Sequence, residues 1–501
     1  MASLKKLAGQ TAWYGISSIF ARFLNYLLTP YLTHYLSIAR YGDMTMMYSA
    51  IPFMNVVFTY GMETAYFRFC NKGSDEKSVF NTAGLSLVFT TLILTATLLI
   101  FRLPIAELLR VADHPQFITW AALIIGLDTL TTLPFAKLRH EGRPRKYALI
   151  RVLGIVVNIA LVVFFYTILP TIAAKDPTSF LAKWYDPNLG AGYVIIANLV
   201  QSALTLVLLA PEFLTIRFEW DGKLWKEMMI YSLPLMIAGF GGMINETFDR
   251  VMLGWWAPVH NLQEAKVQVG IYGACYKLSI LISLFIQAFR MGAEPFFFHE
   301  SKGENASKTY ARVMKFFVIT ICIMFLFVTM YIDIWKHLIT NPKMWVGLKV
   351  VPILLVANMC LGVYYNLSIW YKLSHNTRAG ATITLIGAAL TLIINYTFIP
   401  RFGYMACAWA TLICYGSMML ISYLWGQKVY PVPYATKKLL SYFAVMLVLF
   451  FVQWIITGLI SIVLVKFITG SILMFLFLML VYKAEGKELK GIPFIGRFIK
   501  A

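Results

Sequence analysis

Charged and polar side chains interrupt several apolar stretches of this 501-residue sequence, and their spacing is informative. Between positions 272 and 294 they recur every three or four residues, at Tyr272, Tyr276, Ser279, Ser283, Gln287, Arg290 and Glu294. That spacing places them on one face of a helix for about six turns. The pattern predicts a helix with a polar stripe that lines a cavity. In the alternative interpretation, Arg290 and Glu294, which are four positions apart, only neutralise each other.

Further ionisable residues lie inside this stretch and inside other apolar stretches. They are Arg22, Glu63, Asp128, Arg151, Glu246, Asp249, Arg250 and Lys277. A charge near the centre of a membrane helix costs about 2.5–3.5 kcal/mol on insertion scales, so such residues usually face a partner or a water-filled cavity. Asp128 stands alone on an apolar background, which indicates either a proton or cation site or a hydrogen bond to a neighbouring helix.

The elements that must position these residues are membrane helices. Hydrophobic residues make up 59% of the chain and charged residues only 13%, whereas soluble globular chains have about 45–50% apolar and about 25% charged residues. A membrane span needs roughly 20 predominantly apolar residues. The predicted fold class is therefore an all-α polytopic membrane protein, with about fourteen transmembrane helices between residues 8 and 483.

Lys and Arg are distributed unequally between the two sides of the predicted membrane domain. If the amino terminus is inside, most of them lie on the cytoplasmic side, including the basic run at 139–146. Positively charged loops are retained in the cytoplasm, so we expect both termini to be cytoplasmic. The net charge of +20 has the same explanation and does not indicate a nucleic-acid partner.

An internal repeat appears when residues 41–68 are aligned with residues 272–299 without gaps. Glu63 then falls on Glu294. Six helices separate the two stretches, an even number, so the two halves enter the membrane in the same direction. This predicts two parallel-repeat lobes of six helices and two appended C-terminal helices. The predicted units are 1–218, 219–430 and 431–501.

This topology divides the intramembrane charges between the two ends of the helices. Toward the cytoplasmic third lie Glu63, Arg151, Arg290 and Glu294. In the outer half lie Glu246, Asp249, Arg250 and Lys277. The first set predicts a cytoplasmic gate of ion pairs. The second set is either an external gate or a local neutral pair, because Glu246 precedes Arg250 by four positions.

The sequence lacks the motifs of several enzyme classes. It contains neither a GxxxxGKS/T phosphate loop nor an HExxH zinc motif. Its six cysteines form no CxxC pair and lie mostly within apolar stretches, which indicates neither a metal site nor a disulfide framework. We therefore expect a membrane transporter without cofactor or metal, and not an enzyme.

Six short segments carry a resemblance to a known family. They are RFLN at 22–25, TPYLTHYL at 29–36, YG at 41–42, GMETAYFR at 61–68, NETFDR at 245–250 and GIYG at 270–273. The sequence resembles bacterial polysaccharide and O-antigen flippases of the multidrug/oligosaccharidyl-lipid/polysaccharide exporter superfamily, which are related to lipid II flippases. The resemblance covers nearly the whole chain in span number and repeat, through soft hydrophobic motifs.

The resemblance implies two six-helix lobes around a central cavity. In the related lipid II flippases, arginines of the first and eighth helices are associated with the lipid-linked pyrophosphate, and helices 13 and 14 form a groove for the polyprenyl tail. Arginine forms bidentate, charge-assisted hydrogen bonds with such oxygens. The expected substrate-binding residues are Arg22, Asn25, Arg151, Gln287 and Arg290. The alternative is that these arginines only form structural ion pairs.

The implied function is translocation of an undecaprenyl-pyrophosphate-linked oligosaccharide across the bacterial inner membrane by alternating access, for polysaccharide or lipopolysaccharide biosynthesis. The expected partners are this lipid-linked oligosaccharide, the bilayer, a polysaccharide polymerase and glycosyltransferases. One alternative is a cation-coupled multidrug exporter of the same superfamily, whose cationic drugs the arginines would repel. Another is a membrane polysaccharide polymerase or ligase, although such enzymes generally have a large periplasmic loop.

Overall fold

The computed structural model describes residues 19–20, 22–259, 261–301, 303–374, 376–460 and 462–489, and every regular element among them is a helix. We number the long helices α1 (22–35), α2 (Ile38–Thr59), α3 (Glu76–Ile100), α4 (Gln116–His140), α5 (Pro144–Lys175), α6 (Gly192–Leu208), α7 (Gly222–Trp256), α8 (Leu262–Glu300), α9 (Ala306–Met330), α10 (Pro342–Leu373), α11 (Thr377–Phe402), α12 (Tyr404–Val429), α13 (Thr436–Leu459) and α14 (Val463–Leu489). The all-α class is thus confirmed.

Eleven helices in the described part of the chain are long and apolar enough to cross a membrane, namely α3–α5 and α7–α14. The predicted number of fourteen spans is not confirmed. Helix α6 has only 17 residues. The predicted second span, 41–68, is broken at Tyr60 and Gly61, which have positive φ angles of 33° and 77°. A separate helix, Met62–Asn71, follows this break.

Side-chain caps fix the start of the two long helices that later contribute charges to the site. The Asp221 carboxylate accepts hydrogen bonds from the backbone N–H groups of Lys223 and Leu224, both at 3.0 Å, at the start of α7. The Asn261 side chain accepts from the backbone N–H of Glu264 at 2.8 Å at the start of α8. These caps satisfy N–H groups that have no partner within the helix.

Helices α2 and α8, which the internal repeat relates, pack directly against each other. A Cβ atom added to Gly270 would lie 2.2 Å from the backbone oxygen of Ile38, and one added to Gly42 would lie 2.0 Å from that of Lys266. Contacts this short require glycine, because small residues allow helix backbones to approach closely. The proposed lobe boundaries fall between long helices, after α6 and after α12, and the lobes remain a prediction.

Gly270→Ala is expected to lower the midpoint of thermal unfolding in detergent, because the new methyl group would push α8 away from the α2 backbone. Gly292→Ala is the matched control on the same helix, since a Cβ there meets no atom within 4 Å. It should be neutral or slightly stabilising, because alanine favours helix by about 1 kcal/mol over glycine. Equal midpoints for the two variants would contradict the close packing.

The C-terminal pair α13–α14 is attached to α9 by a buried charge cluster. Glu485 of α14 is only 2% exposed. Its carboxylate pairs with Lys315 Nζ of α9 at 2.8 Å and accepts a hydrogen bond from the Tyr442 hydroxyl of α13 at 2.6 Å. Glu488 pairs with the same Lys315 at 2.7 Å. The cluster holds three helices together by charge, whereas the polyprenyl groove expected here stays a prediction.

Candidate functional site: two adjoining cavities

Two cavities lie among the helices of the amino-terminal half, α7 and α8. The arginine cavity, of about 540 Å³, is defined by Arg22, Glu63, Asp128, Arg139 and Arg151. The carboxamide cavity, of about 410 Å³, is defined by Asn25, Asn158, Asn198, Gln201, Glu246 and Lys277. Asn25 and Gln201 line both, so the cavities meet there. Their volumes lie in the range of small-molecule sites, about 300–1,000 Å³.

Cations outnumber anions on the wall of the arginine cavity. Its lining includes three arginines and two carboxylates. Glu63, at the start of the Met62–Asn71 helix, pairs with the Arg139 guanidinium of α4. Arg22 on α1 is exposed to the cavity. Because Glu63 and Arg139 balance each other's charge, the remaining charged groups on the lining are the two guanidinium groups of Arg22 and Arg151 and the single carboxylate of Asp128. The arrangement suits an anionic ligand.

Asp128 lies on α4 and lines the arginine cavity. Among the described residues, no Lys or Arg nitrogen lies within ion-pair distance of its carboxylate, although the Arg151 charge acts on it. The Arg151 guanidinium instead lies 4.2 Å from the ring centroid of Phe135, in a cation–π contact. The cation or proton site suggested for Asp128 stays a prediction.

The charges on α7 are arranged differently from the sequence expectation. Arg250 Nη1 donates a hydrogen bond to the backbone oxygen of Glu246 at 2.7 Å and lies 3.4 Å from Asp249 Oδ1. Its guanidinium lies 4.0 Å from the Tyr276 ring centroid. A side-chain pair between Glu246 and Arg250, which was one of the two alternatives, is not formed; Arg250 pairs with Asp249 instead. A π-helical turn at Ile244–Phe248 changes the rotation per residue between Glu246 and Arg250.

Glu246, Arg250 and Lys277 all line the carboxamide cavity, together with the amide side chains of α1, α5 and α6. Asp249 is buried beside it and accepts a hydrogen bond from the Tyr272 hydroxyl at 2.6 Å. The structure therefore brings this predicted set together in space. Whether it gates anything stays a prediction.

The four residues of the hypothetical cytoplasmic gate are not brought together. Arg290 and Glu294 pair with each other at 3.1 Å, and Lys372 of α10 reaches the same Glu294 oxygen at 2.6 Å. They line a small separate cleft, whereas Glu63 and Arg151 line the arginine cavity. In this conformation Arg290 and Glu294 are therefore separated from Glu63 and Arg151, and among the described residues no ion pair joins the two sets.

The polar stripe of α8 serves several surroundings, and the expectation that it lines one continuous cavity is wrong. Tyr272 is buried on Asp249, and Ser283 donates to Asn358 Oδ1 of α10 at 2.9 Å. Tyr276 lines the carboxamide cavity. Gln287, which was expected to bind substrate, lines neither the carboxamide cavity nor the arginine cavity. The reason is length, because this 39-residue helix passes several neighbours in turn.

Sequence reasoning missed four residues of these sites. They are Arg139, Asn198, Gln201 and Lys372. Arg139 belongs to a basic run that the topology already explained, and Lys372 lies near the end of a span where lysine is ordinary. Asn198 and Gln201 are three positions apart in the apolar run of α6. That spacing of two amides on one helical face was the signal available.

Solved structures with the same fold are membrane transporters. A structure described as "Lipid II flippase MurJ, inward closed conformation" has a TM-score of 0.68 and 14% identity, covering 94% of this chain and 99% of that chain. An inward-facing multidrug resistance MATE family transporter of the MOP superfamily gives 0.64 and 15%, covering 81% and 94%. An outward-facing structure of such a transporter gives 0.57 and 14%, covering 85% and 95%. The chain therefore has the all-helical fold shared by these flippases and exporters.

The sequence also identifies a family, which is a more specific assignment than the fold. Residues 7–299 match the family described as "Polysaccharide biosynthesis protein", which is more than half of the chain, so the protein belongs to that family. No curated protein sequence matches it. The resemblance to polysaccharide flippases is confirmed, and the fold neighbours are transporters and not enzymes.

Proposed function

We propose that this protein translocates an undecaprenyl-pyrophosphate-linked oligosaccharide from the cytoplasmic to the periplasmic leaflet of the bacterial inner membrane. Transport proceeds by alternating access and supplies polysaccharide or lipopolysaccharide biosynthesis, with both termini of the chain in the cytoplasm. Glycosyltransferases would supply the substrate, and a polysaccharide polymerase would use the product. Membership of the polysaccharide biosynthesis family supports this proposal.

The arginine cavity is the observation that carries the proposal. A pyrophosphate concentrates negative charge on several acceptor oxygens, and Arg22 and Arg151 present guanidinium groups to the same cavity. Each guanidinium has five N–H donors in a fork that fits such oxygens. The same excess of arginine disfavours the cationic drugs of a multidrug exporter, since like charges repel in a site of low dielectric.

Loss of the gene is expected to stop surface polysaccharide export and to leave lipid-linked units on the cytoplasmic leaflet. The measurement is digestion of these units by a membrane-impermeant glycosidase added to spheroplasts, whose periplasmic leaflet is accessible, before and after the spheroplasts are lysed. Units should be protected in intact spheroplasts of the deletion strain and cleaved after lysis. Expression of Thr97→Val, a change on the exposed face of α3, should restore export. Unpolymerised units that are cleaved in intact spheroplasts would favour the polymerase or ligase instead.

A further inference from the structure

Amide side chains without protein partners converge on the carboxamide cavity. Asn158 of α5 is only 6% exposed, yet its side chain forms no hydrogen bond with any other described residue, and it lines the cavity. Asn25 of α1 and Gln201 of α6 also line it and also lack a side-chain hydrogen bond to the described part of the chain. Asn25 is exposed to the cavity and Gln201 is partly exposed, so these amides can hydrogen-bond to a molecule that enters this space.

Asn198 extends this group along α6. Its amide nitrogen donates to the Tyr48 hydroxyl at 3.3 Å, and both residues line the cavity. The Tyr48 hydroxyl donates in turn to the Val194 backbone oxygen at 3.4 Å. The carbonyl oxygen of Asn198 remains available to accept. One wall of the cavity therefore offers both donors and acceptors, all uncharged.

The chemistry of this wall fits a sugar better than a phosphate. A carboxamide has two N–H donors and one carbonyl acceptor, which match the hydroxyl and acetamido groups of a glycan, whereas a pyrophosphate only accepts. Among the charged residues that line the same cavity, Arg250 is paired with buried Asp249. The two remaining lining charges, Glu246 and Lys277, are of opposite sign. The carboxamide cavity is therefore nearly neutral, whereas the adjoining arginine cavity is cationic.

We propose that the carboxamide cavity is a glycan subsite, in which Asn25, Asn158, Asn198 and Gln201 bind the sugar next to the pyrophosphate. This inference rests on the proposed function and divides the substrate between two cavities. The pyrophosphate lies in the arginine cavity, and the first sugar lies beyond the junction formed by Asn25 and Gln201. The direct covalent bond between pyrophosphate and sugar fits two cavities that share these residues.

The test compares the binding of two probes to the purified full-length protein in detergent. One probe is a short-chain polyprenyl diphosphate, and the other is the same molecule bearing one N-acetylglucosamine. Wild-type protein should bind the sugar-bearing probe about tenfold more tightly. Asn158→Leu and Asn198→Leu, at two amides that line only the carboxamide cavity, should each remove about fivefold of that gain, the usual effect of one lost hydrogen bond. Both variants should bind the bare diphosphate unchanged, which also shows that they are folded.

The controls separate this proposal from the proposed function. Thr97→Val should bind both probes as the wild type does, and Arg151→Ala should weaken both probes equally. Equal binding of the two probes by the wild type would overturn the glycan subsite while leaving the flippase proposal intact. So would a parallel loss of both probes in the amide variants. If the wild type binds neither probe, the proposed function fails and the subsite fails with it.

Discussion

Arg22→Ala and Arg290→Ala are each expected to lower export of surface polysaccharide roughly ten- to hundredfold at normal protein levels. A hydrogen bond to a charged group contributes about 1.5–3 kcal/mol, and about 1.4 kcal/mol corresponds to tenfold. Arg22 lies on the arginine cavity. Arg290 lies in a separate cleft, so the expected loss for this residue rests on the proposal that it contacts the substrate in a second conformation of the transport cycle. Export and protein level, measured together, check both results.

A purely structural role predicts a different pattern for Arg290. If the only task of Arg290 is to neutralise Glu294, which lies 3.1 Å away, then Glu294→Gln should rescue Arg290→Ala. Lys372 already reaches Glu294 at 2.6 Å, so the structural hypothesis also predicts a mild single-variant effect. Arg401→Ala, at an exposed arginine near the end of α11, is the matched control and should export normally. Rescue by the double variant would remove Arg290 from substrate binding.

Hydropathy and charge were sufficient to predict the membrane class and most of the ionisable residues that line the cavities, whereas the family was predicted from the resemblance of six short segments. Intramembrane charges are costly, so Arg22, Asp128 and Arg151 had to face partners or water, and all three line the arginine cavity. The same reasoning predicted the Arg290–Glu294 pair as the alternative to a cavity role, and the pair is present. The substrate-binding and gating roles of these residues stay predictions.

The sequence did not predict which charged residues form ion pairs between different helices. Glu63 pairs with Arg139, 76 positions later in the chain, and no local pattern links the two. The break at Tyr60 and Gly61 redirects the segment that carries Glu63, which a continuous span would not have done. Local geometry misled in a similar way at Arg250, where the π-helical turn displaced an ideal four-residue spacing. Such pairings depend on tertiary packing.

Lys266→Met is expected to be the most destabilising substitution among the ionisable residues that join α2 and α8. Lys266 Nζ of α8 lies 3.0 Å from Asp43 Oδ1 of α2, and the two residues are only 7% and 3% exposed. Removal of one partner of a buried pair leaves an uncompensated charge and costs about 3–5 kcal/mol. Asp43→Asn should cost less, because Lys266 keeps a second partner, Asp113, at 3.4 Å. Thermal unfolding in detergent measures both.

The double variant Asp43→Leu/Lys266→Met decides what the pair contributes. Replacement of a buried pair by apolar residues is often neutral, so the double variant should unfold near the wild-type midpoint. Lys308→Met, at an exposed position in the first turn of α9, is the control for loss of a lysine. A double variant that unfolds at a midpoint as low as that of Lys266→Met alone would contradict this account.

Asp43 lies near the start of α2, and Glu63 lies just after its end. The Asp43–Lys266 pair can therefore also be tested by its effect on the opening of the cavities. The arginine cavity is thus near one end of this helix, and the buried pair closes α2 against α8 near the other. Arg40 and His114 also lie at this end, with Arg40 Nη1 2.5 Å from His114 Nε2. Burial and the adjacent Arg40 charge lower the pKa of His114. The alternating access proposed above would require α2 and α8 to part there, with loss of the Asp43–Lys266 contact. A cysteine reporter at Ser49→Cys, on the carboxamide cavity, can measure this opening. An impermeant thiol reagent added from the periplasmic side should label the reporter more readily in the double variant than in the otherwise wild-type chain. Equal labelling would mean that the pair stabilises the fold without holding that end closed.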